Sequence, residues 1–205
     1  KDRFMRDNRI IYTKAKIAML DIDTDNNGMM VAWNFIRGKI VASKFFSIVF
    51  QDQSILDHRG IGGFFTTKEF VNILYVSKDY LRDGKLHFSN NLAMAVFLHE
   101  SSHFLHFISN MGKYTSQLAK DLNIPTARIC SISNKERYFE EREAWHLSNQ
   151  MNRMFHIGIQ EEIDLANTKN MLFMSRQNGI CKKSVSEINN ITDTMKIEDF
   201  DFKNL

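Results

Sequence analysis

The sequence predicts an α+β fold, in which helices pack beside a small group of strands. Three observations carry this prediction. Residues 90–109 and 135–156 hold apolar side chains at helical spacing. Between residues 63 and 88 the pattern changes to short runs rich in aromatic and β-branched residues, interrupted by an Asp-Gly pair. With 43% apolar and 25% charged residues in 205, the composition is that of an ordinary globular chain, which excludes bulk disorder.

Taken in order, residues 1–20 read as a helix, with Phe4, Ile11, Ala15 and Met19 near helical spacing. The polar stretch DIDTDNNG is a turn. Residues 29–47 read as a second, mostly apolar helix, and residues 51–63 as a loop ending in Gly60, Gly62 and Gly63. FFTTKEFVNILYV reads as a pair of short strands, and LRDGKLHF as a turn with a further strand. Ser89 is the expected N-cap of the helix NNLAMAVFLHESSHFLHFIS, which closes near Gly112. Residues 113–134 are a mixed connection with a bend at Pro125, followed by a strong helix over 135–156 and a weaker one over about 160–175. The expected division is an N-terminal helical region at 1–59, a core at 60–180 and a polar C-terminal tail at 181–205.

Several classes of function fall away. A net charge of +3, from 27 basic and 24 acidic residues, is too balanced to argue for nucleic acid or a membrane surface as partner. No run of 18 apolar residues is present, so no spanning helix is expected. Cys130 and Cys181 form neither a disulfide framework nor a CxxC metal site. The start KDRFMRDNRI is charged and lacks the apolar stretch of a signal peptide, so a cytoplasmic or virion-associated location is expected. Because the chain starts at Lys1, it is also compatible with a part of a longer polypeptide.

The chemistry concentrates in residues 99–103, His-Glu-Ser-Ser-His. Within a helix, positions i and i+4 lie one turn apart on the same face. His99 and His103 can therefore grip one zinc ion, at about 2.0–2.1 Å each. Glu100 is rotated by about 100° and can reach a metal-bound water without displacing a histidine. The metal lowers the pKa of that water and the carboxylate takes its proton. The apolar flanks VFL and FLHF place the motif on a buried helix, where an unpartnered His-Glu-His cluster would be costly.

A zinc site that does chemistry needs a third protein ligand and an open position. His106 shares the stripe but lies about 10.5 Å along the axis from His99, too far to share the ion. The extension H-E-x-x-H-x-x-G-x-x-H is absent, because position 106 is His106 and position 109 is Ser109. The next helix offers Glu140, Glu141 and Glu143. Glu141 shares a face with Tyr138, Trp145, Ser148, Asn152 and Phe155, and small Ala144 beside it permits close approach of the two helices. Glu140 lies on the neighbouring stripe with Ala144 and Leu147 and is the second choice, whereas Glu143 points elsewhere. A solvated acidic face, supported by Arg137 and Arg142, is the structural alternative.

H-E-x-x-H followed by a downstream helix with E-x-x-A resembles the gluzincin branch of the zincin metallopeptidases, and most closely its compact, single-domain minigluzincins. The resemblance spans about residues 60–156. It implies a zincin-like core, helical with a small β-sheet beside the HExxH helix. It also implies one catalytic Zn2+ held by His99, His103 and Glu141, with Glu100 as the base. The activity it implies is hydrolysis of a protein or peptide substrate, held as an added strand near residues 70–77. The position after Ala is often acidic or an amide in the family and accepts a hydrogen bond from a ligand histidine; here it is Trp145, which cannot accept one. Asn149, Ser148 or a backbone carbonyl could serve instead. Tyr138 and His146 are candidates for stabilising the transition state. The alternative is a structural or interaction protein, such as a component of a viral particle or larger polypeptide, that keeps the scaffold. Separately, Asp23, Asp25 and Asn27 match the first half of a calcium loop, but Asn34 stands where a bidentate Glu is wanted.

Overall fold

A computed structural model describes residues 8–43, 46–58, 64–68, 71–109, 134–177, 197 and 199–204. Among these residues the chain is mixed α+β, with six α-helices and two small sheets. The order is β1 (Ile10–Thr13), α1 (Lys14–Ala18), β2 (Ile22–Asp23), α2 (Asn27–Ala42), β3 (Phe46–Gln51) and α3 (Gln53–His58). Then follow β4 (Phe64–Lys68), β5 (Val71–Ser77), β6 (Leu81–Arg82) and β7 (Lys85–His87). The last helices are α4 (Asn91–Ile108), α5 (Asn134–Met154) and α6 (Gln160–Gln177).

The first half departs from the helical expectation. Residues 10–13 form a strand where a continuous helix over 1–20 was expected, and the helix that follows is one short turn. The second helix stops at Ala42, and Phe46–Gln51 becomes a strand with both faces largely buried. The segments IIYT and FSIVFQ are β-branched and aromatic, and a buried strand of that kind shows no alternation to distinguish it from a helix. Residues expected as loop at 53–58 form α3.

The larger sheet has the order β1-β3-β5-β4. β1 and β4 pair antiparallel with their neighbours, whereas β3 and β5 run parallel, with Phe46 opposite Asn72 and Gln51 opposite Ser77. This sheet takes strands from both sides of residue 60. The smaller sheet has the order β2-β7-β6. Its β6–β7 hairpin turns at Asp83 and Gly84, with φ of 49° and 74°. Positive φ at both central residues is what a two-residue hairpin turn requires, and Asp-Gly tolerates it.

One core cluster extends from Ile17 to Met171. Trp33, Phe50, Phe97 and Phe104 are its largest fully buried side chains. Each contributes about 1.5–3 kcal/mol or more by leaving water. Phe46 of β3 meets Phe104 of α4 with ring centroids 4.7 Å apart, and Trp33 of α2 meets Phe97 of α4 at 5.8 Å. The helix that carries the HExxH motif is thus clamped between a strand and another helix. Its N-cap is Asn90, one residue after the expected Ser89, and the Asn90 side chain accepts from the Ala93 N–H at 2.9 Å.

The DTDNNG stretch serves as a joint. Asn26 caps α2 by accepting from Met29 N–H at 2.8 Å, and its Nδ2 donates to Ile157 O at 2.9 Å. Asn27 already lies in the helix, and Asp23 faces His87 at 3.5 Å. A Cβ built on Gly28 would stand 2.5 Å from the Phe155 carbonyl oxygen, so the start of α2 touches the end of α5 backbone to backbone. The C-terminal residues also dock. Gln150 brackets the Phe200 backbone, donating to its carbonyl at 2.9 Å and accepting from its N–H at 2.8 Å. The Phe200 ring meets His106 at 5.3 Å, and Phe202 meets Phe35 at 5.6 Å.

Candidate metal centre

α4 and α5 approach along a seam of small residues. Ala144 and Ser148 are fully buried on α5, opposite fully buried Ser102 on α4. The two serine hydroxyls lie 3.1 Å apart, and each has a carbonyl of its own helix within donating distance, Leu98 for Ser102 and Ala144 for Ser148. This close approach sets the reach of the side chains about one turn back along each helix. His99 and His103 project from α4, and Glu141 projects from α5 toward them.

Glu141 Oε2 is 2.9 Å from His99 Nε2, Glu141 Oε1 is 3.4 Å from His103 Nε2, and the two Nε2 atoms are 3.2 Å apart. Hydrogen bonds alone satisfy this triangle poorly. If His99 donates to Glu141, its proton confronts the His103 donor; if it accepts from His103, its contact with Glu141 has no proton. One cation between them satisfies both ring nitrogens and the carboxylate together. Four arms of 2.0–2.1 Å in a tetrahedron place neighbouring ligand atoms about 3.3 Å apart, close to the observed edges. Among the described residues, His99, His103 and Glu141 are the group whose ligand atoms lie at such a distance, so the site is compatible with a bound metal ion.

The electrostatics follow from this closeness. Burial pushes the His99 imidazole below its ordinary pKa, against the pull of Glu141. Burial also acts downward on His103, but the charge and hydrogen bond of Glu141, with the charges of Glu100 and Glu140, outweigh it and carry the group to about 9. Burial acts upward on Glu141, yet His103 and His99 outweigh it and hold the carboxyl well below the usual carboxylate range. Without metal, the neighbouring carboxylates favour the charged form of His103, while burial favours the neutral form of His99.

The other site residues separate. Glu100, half-buried on α4, raises both His103 and Tyr80 by its charge, so it stands in the field of the same centre. Tyr80 was not singled out by sequence, because nothing in KDYLRDG distinguishes it from a packing residue. Its hydroxyl is pushed up to about 12, first by burial and then by Glu100 and Asp79, so it stays protonated and able to donate. Glu140 and Glu143 are not among the converging ligands. Burial, with the charge of Glu140, lifts the Glu143 carboxyl to about 7. His106 Nε2 donates to the Glu143 carbonyl at 3.3 Å and so ties α4 to α5; burial holds that ring neutral, at about 4. His146 lies 2.8 Å from Asp199 Oδ1 on the C-terminal segment, five residues and more than a third of a turn around the helix from Glu141. Tyr138 lies on α5, but its side chain is outside the described residues.

The expected acceptors for a ligand histidine are engaged elsewhere. Ser148 faces the Ser102 hydroxyl and the Ala144 carbonyl, and Asn149 Oδ1 accepts from Gln160 at 2.6 Å. His99 Nδ1 is buried with no hydrogen-bond partner among the described residues. Instead, the Trp145 ring stacks on His99. The strand expected to receive a peptide, β5, is paired on both flanks by β3 and β4, so its backbone is not free; the edge of this sheet that runs against α4 is β4. Sequence pattern marks a strand but not whether it is central. Comparison with protein-family models, with curated proteins and with solved structures returns no match. Among the described residues, no helix is long and apolar enough to cross a membrane.

Proposed function

We propose that the protein is a zinc-dependent metallopeptidase of the gluzincin type. The observation that carries this reading is the convergence of His99, His103 and Glu141: the two Nε2 atoms lie 3.2 Å apart, and the Glu141 carboxylate reaches them with Oε2 at 2.9 Å and Oε1 at 3.4 Å. Its ligands come from an i, i+4 histidine pair and a carboxylate on the next described helix. The ion, when bound, supplies a Lewis acid that polarises a carbonyl and acidifies water. Glu100 is the general base, taking a proton from water and returning it to the leaving amine. Tyr80, held protonated beside Glu100, is available as a donor. The edge of β4, unpaired among the described residues, would receive an extended peptide by strand addition, positioned along α4.

A scaffold reading, with a structural ion and no turnover, draws on one observation: Nδ1 of His99 has no partner among the described residues, where a tuned metal site commonly has an acceptor. Metal analysis and a peptide-library assay on wild type and Glu100→Gln separate the two. The expected result is about one zinc in both proteins and cleavage by wild type alone, with a loss of about 10²-fold or more in the variant. Zinc without cleavage in wild type supports the scaffold. Full zinc occupancy in a His99→Ala, His103→Ala double variant refutes the site. Glu141→Ala should weaken zinc binding strongly, while Glu140→Ala and Glu143→Ala should leave it nearly unchanged.

A further inference from the structure

A ligand imidazole binds an ion through a lone pair in its own ring plane, so the orientation of that plane decides where the ion sits. A hydrogen bond to the second ring nitrogen is the common way to fix it. His99 has no such bond among the described residues. Its ring lies against Trp145, with centroids 4.0 Å apart and planes inclined by 22°. The indole is itself immobilised: Trp145 is 3% exposed, and its Nε1 donates to Asn170 Oδ1 of α6 at 3.1 Å.

We propose that Trp145, anchored by Asn170, is the positioning residue of His99, replacing a hydrogen-bond acceptor with a stacked ring. The stack fixes the imidazole plane, and Asn170 keeps the indole from turning. The electron-rich indole face also favours an imidazole that carries part of an ion's charge. Three helices thereby hold one ligand: α4 bears it, α5 covers it, and α6 braces the cover. The inference rests on the metal reading of the site, and its test is chosen to fail separately.

Zinc affinity of the folded protein is measured by competition with a chromophoric chelator. Trp145→Leu should weaken zinc binding by about tenfold, and Trp145→Phe, which keeps a flat ring but loses the bond to Asn170, should lose about threefold. Asn170→Ala, which removes the same hydrogen bond, should lose about as much as Trp145→Phe. Zinc should also change indole emission in wild type and leave it unchanged in Trp145→Phe, where Trp33 is the remaining indole. If Trp145→Leu does not fold, Trp145→Phe, Asn170→Ala and the emission change still decide. Wild-type affinity in Trp145→Leu or in Asn170→Ala, or the same emission change in wild type and Trp145→Phe, overturns the assignment alone. A wild type that takes up no zinc overturns the metal site with it.

Discussion

On the proposed function, zinc uptake should release about one proton per ion near pH 6, and the proton should come from His103. In the metal-free cluster Glu141, with Glu100 and Glu140, holds His103 at about 9. At about pH 6 nearly every molecule therefore carries that proton, and zinc must displace it, because only the neutral ring can bind. Water on zinc, with a pKa of about 7, contributes little at that pH. Burial pushes His99 below its ordinary pKa, so its share is the smaller one. Zinc affinity should accordingly rise by about tenfold for each pH unit between about 6 and 7. Calorimetric titration with zinc, in buffers of different ionisation enthalpy, counts the protons directly. Release of fewer than about 0.3 protons per bound zinc would refute the assignment of a charged His103. The same shift acts on stability. Because its folded pKa is raised, His103 stabilises the metal-free fold fully below about pH 6.5, and this contribution disappears as pH rises through about 9. Glu141→Gln removes the main cause, so the His103 midpoint seen by NMR in that variant should fall by more than about one unit.

Two further predictions concern the frame around the site. Gly28→Ala sets a methyl against the Phe155 carbonyl and should destabilise the fold by about 1–3 kcal/mol, read from the midpoint of chemical denaturation; an unchanged midpoint would mean that α2 and the end of α5 do not touch. Gln150→Ala removes both hydrogen bonds to Phe200, and Phe200→Ala removes the ring against His106. Each should cost about 1–2 kcal/mol in the same measurement, and wild-type stability in both would show that the C-terminal segment is not held.

The parts of the site that follow from local periodicity were legible in the chain. The spacing of His99 and His103 on an apolar helix places both rings on one face. The helical phase of Glu141, with Ala144 beside it, selects one carboxylate of three, and in the structure that carboxylate lies within reach of both histidines. The Asp83–Gly84 turn was legible for a similar reason, because its positive φ values restrict residue type. Strands β1 and β3 were not. A short apolar β-branched run fits a buried strand or a helix equally well until its partners are known. Nor does a pattern reveal that β5 is central and β4 at the edge, since pairing belongs to other segments of the chain. Trp145 shows the same limit at one side chain. Its inability to accept a hydrogen bond is a property of indole and can be read from the sequence. That it lies flat on His99, braced by Asn170 twenty-five residues further on, is decided by how three helices pack. Periodicity acts over a few residues; the 2.9 Å contact that joins His99 to Glu141 closes a separation of 42, and only tertiary packing sets it.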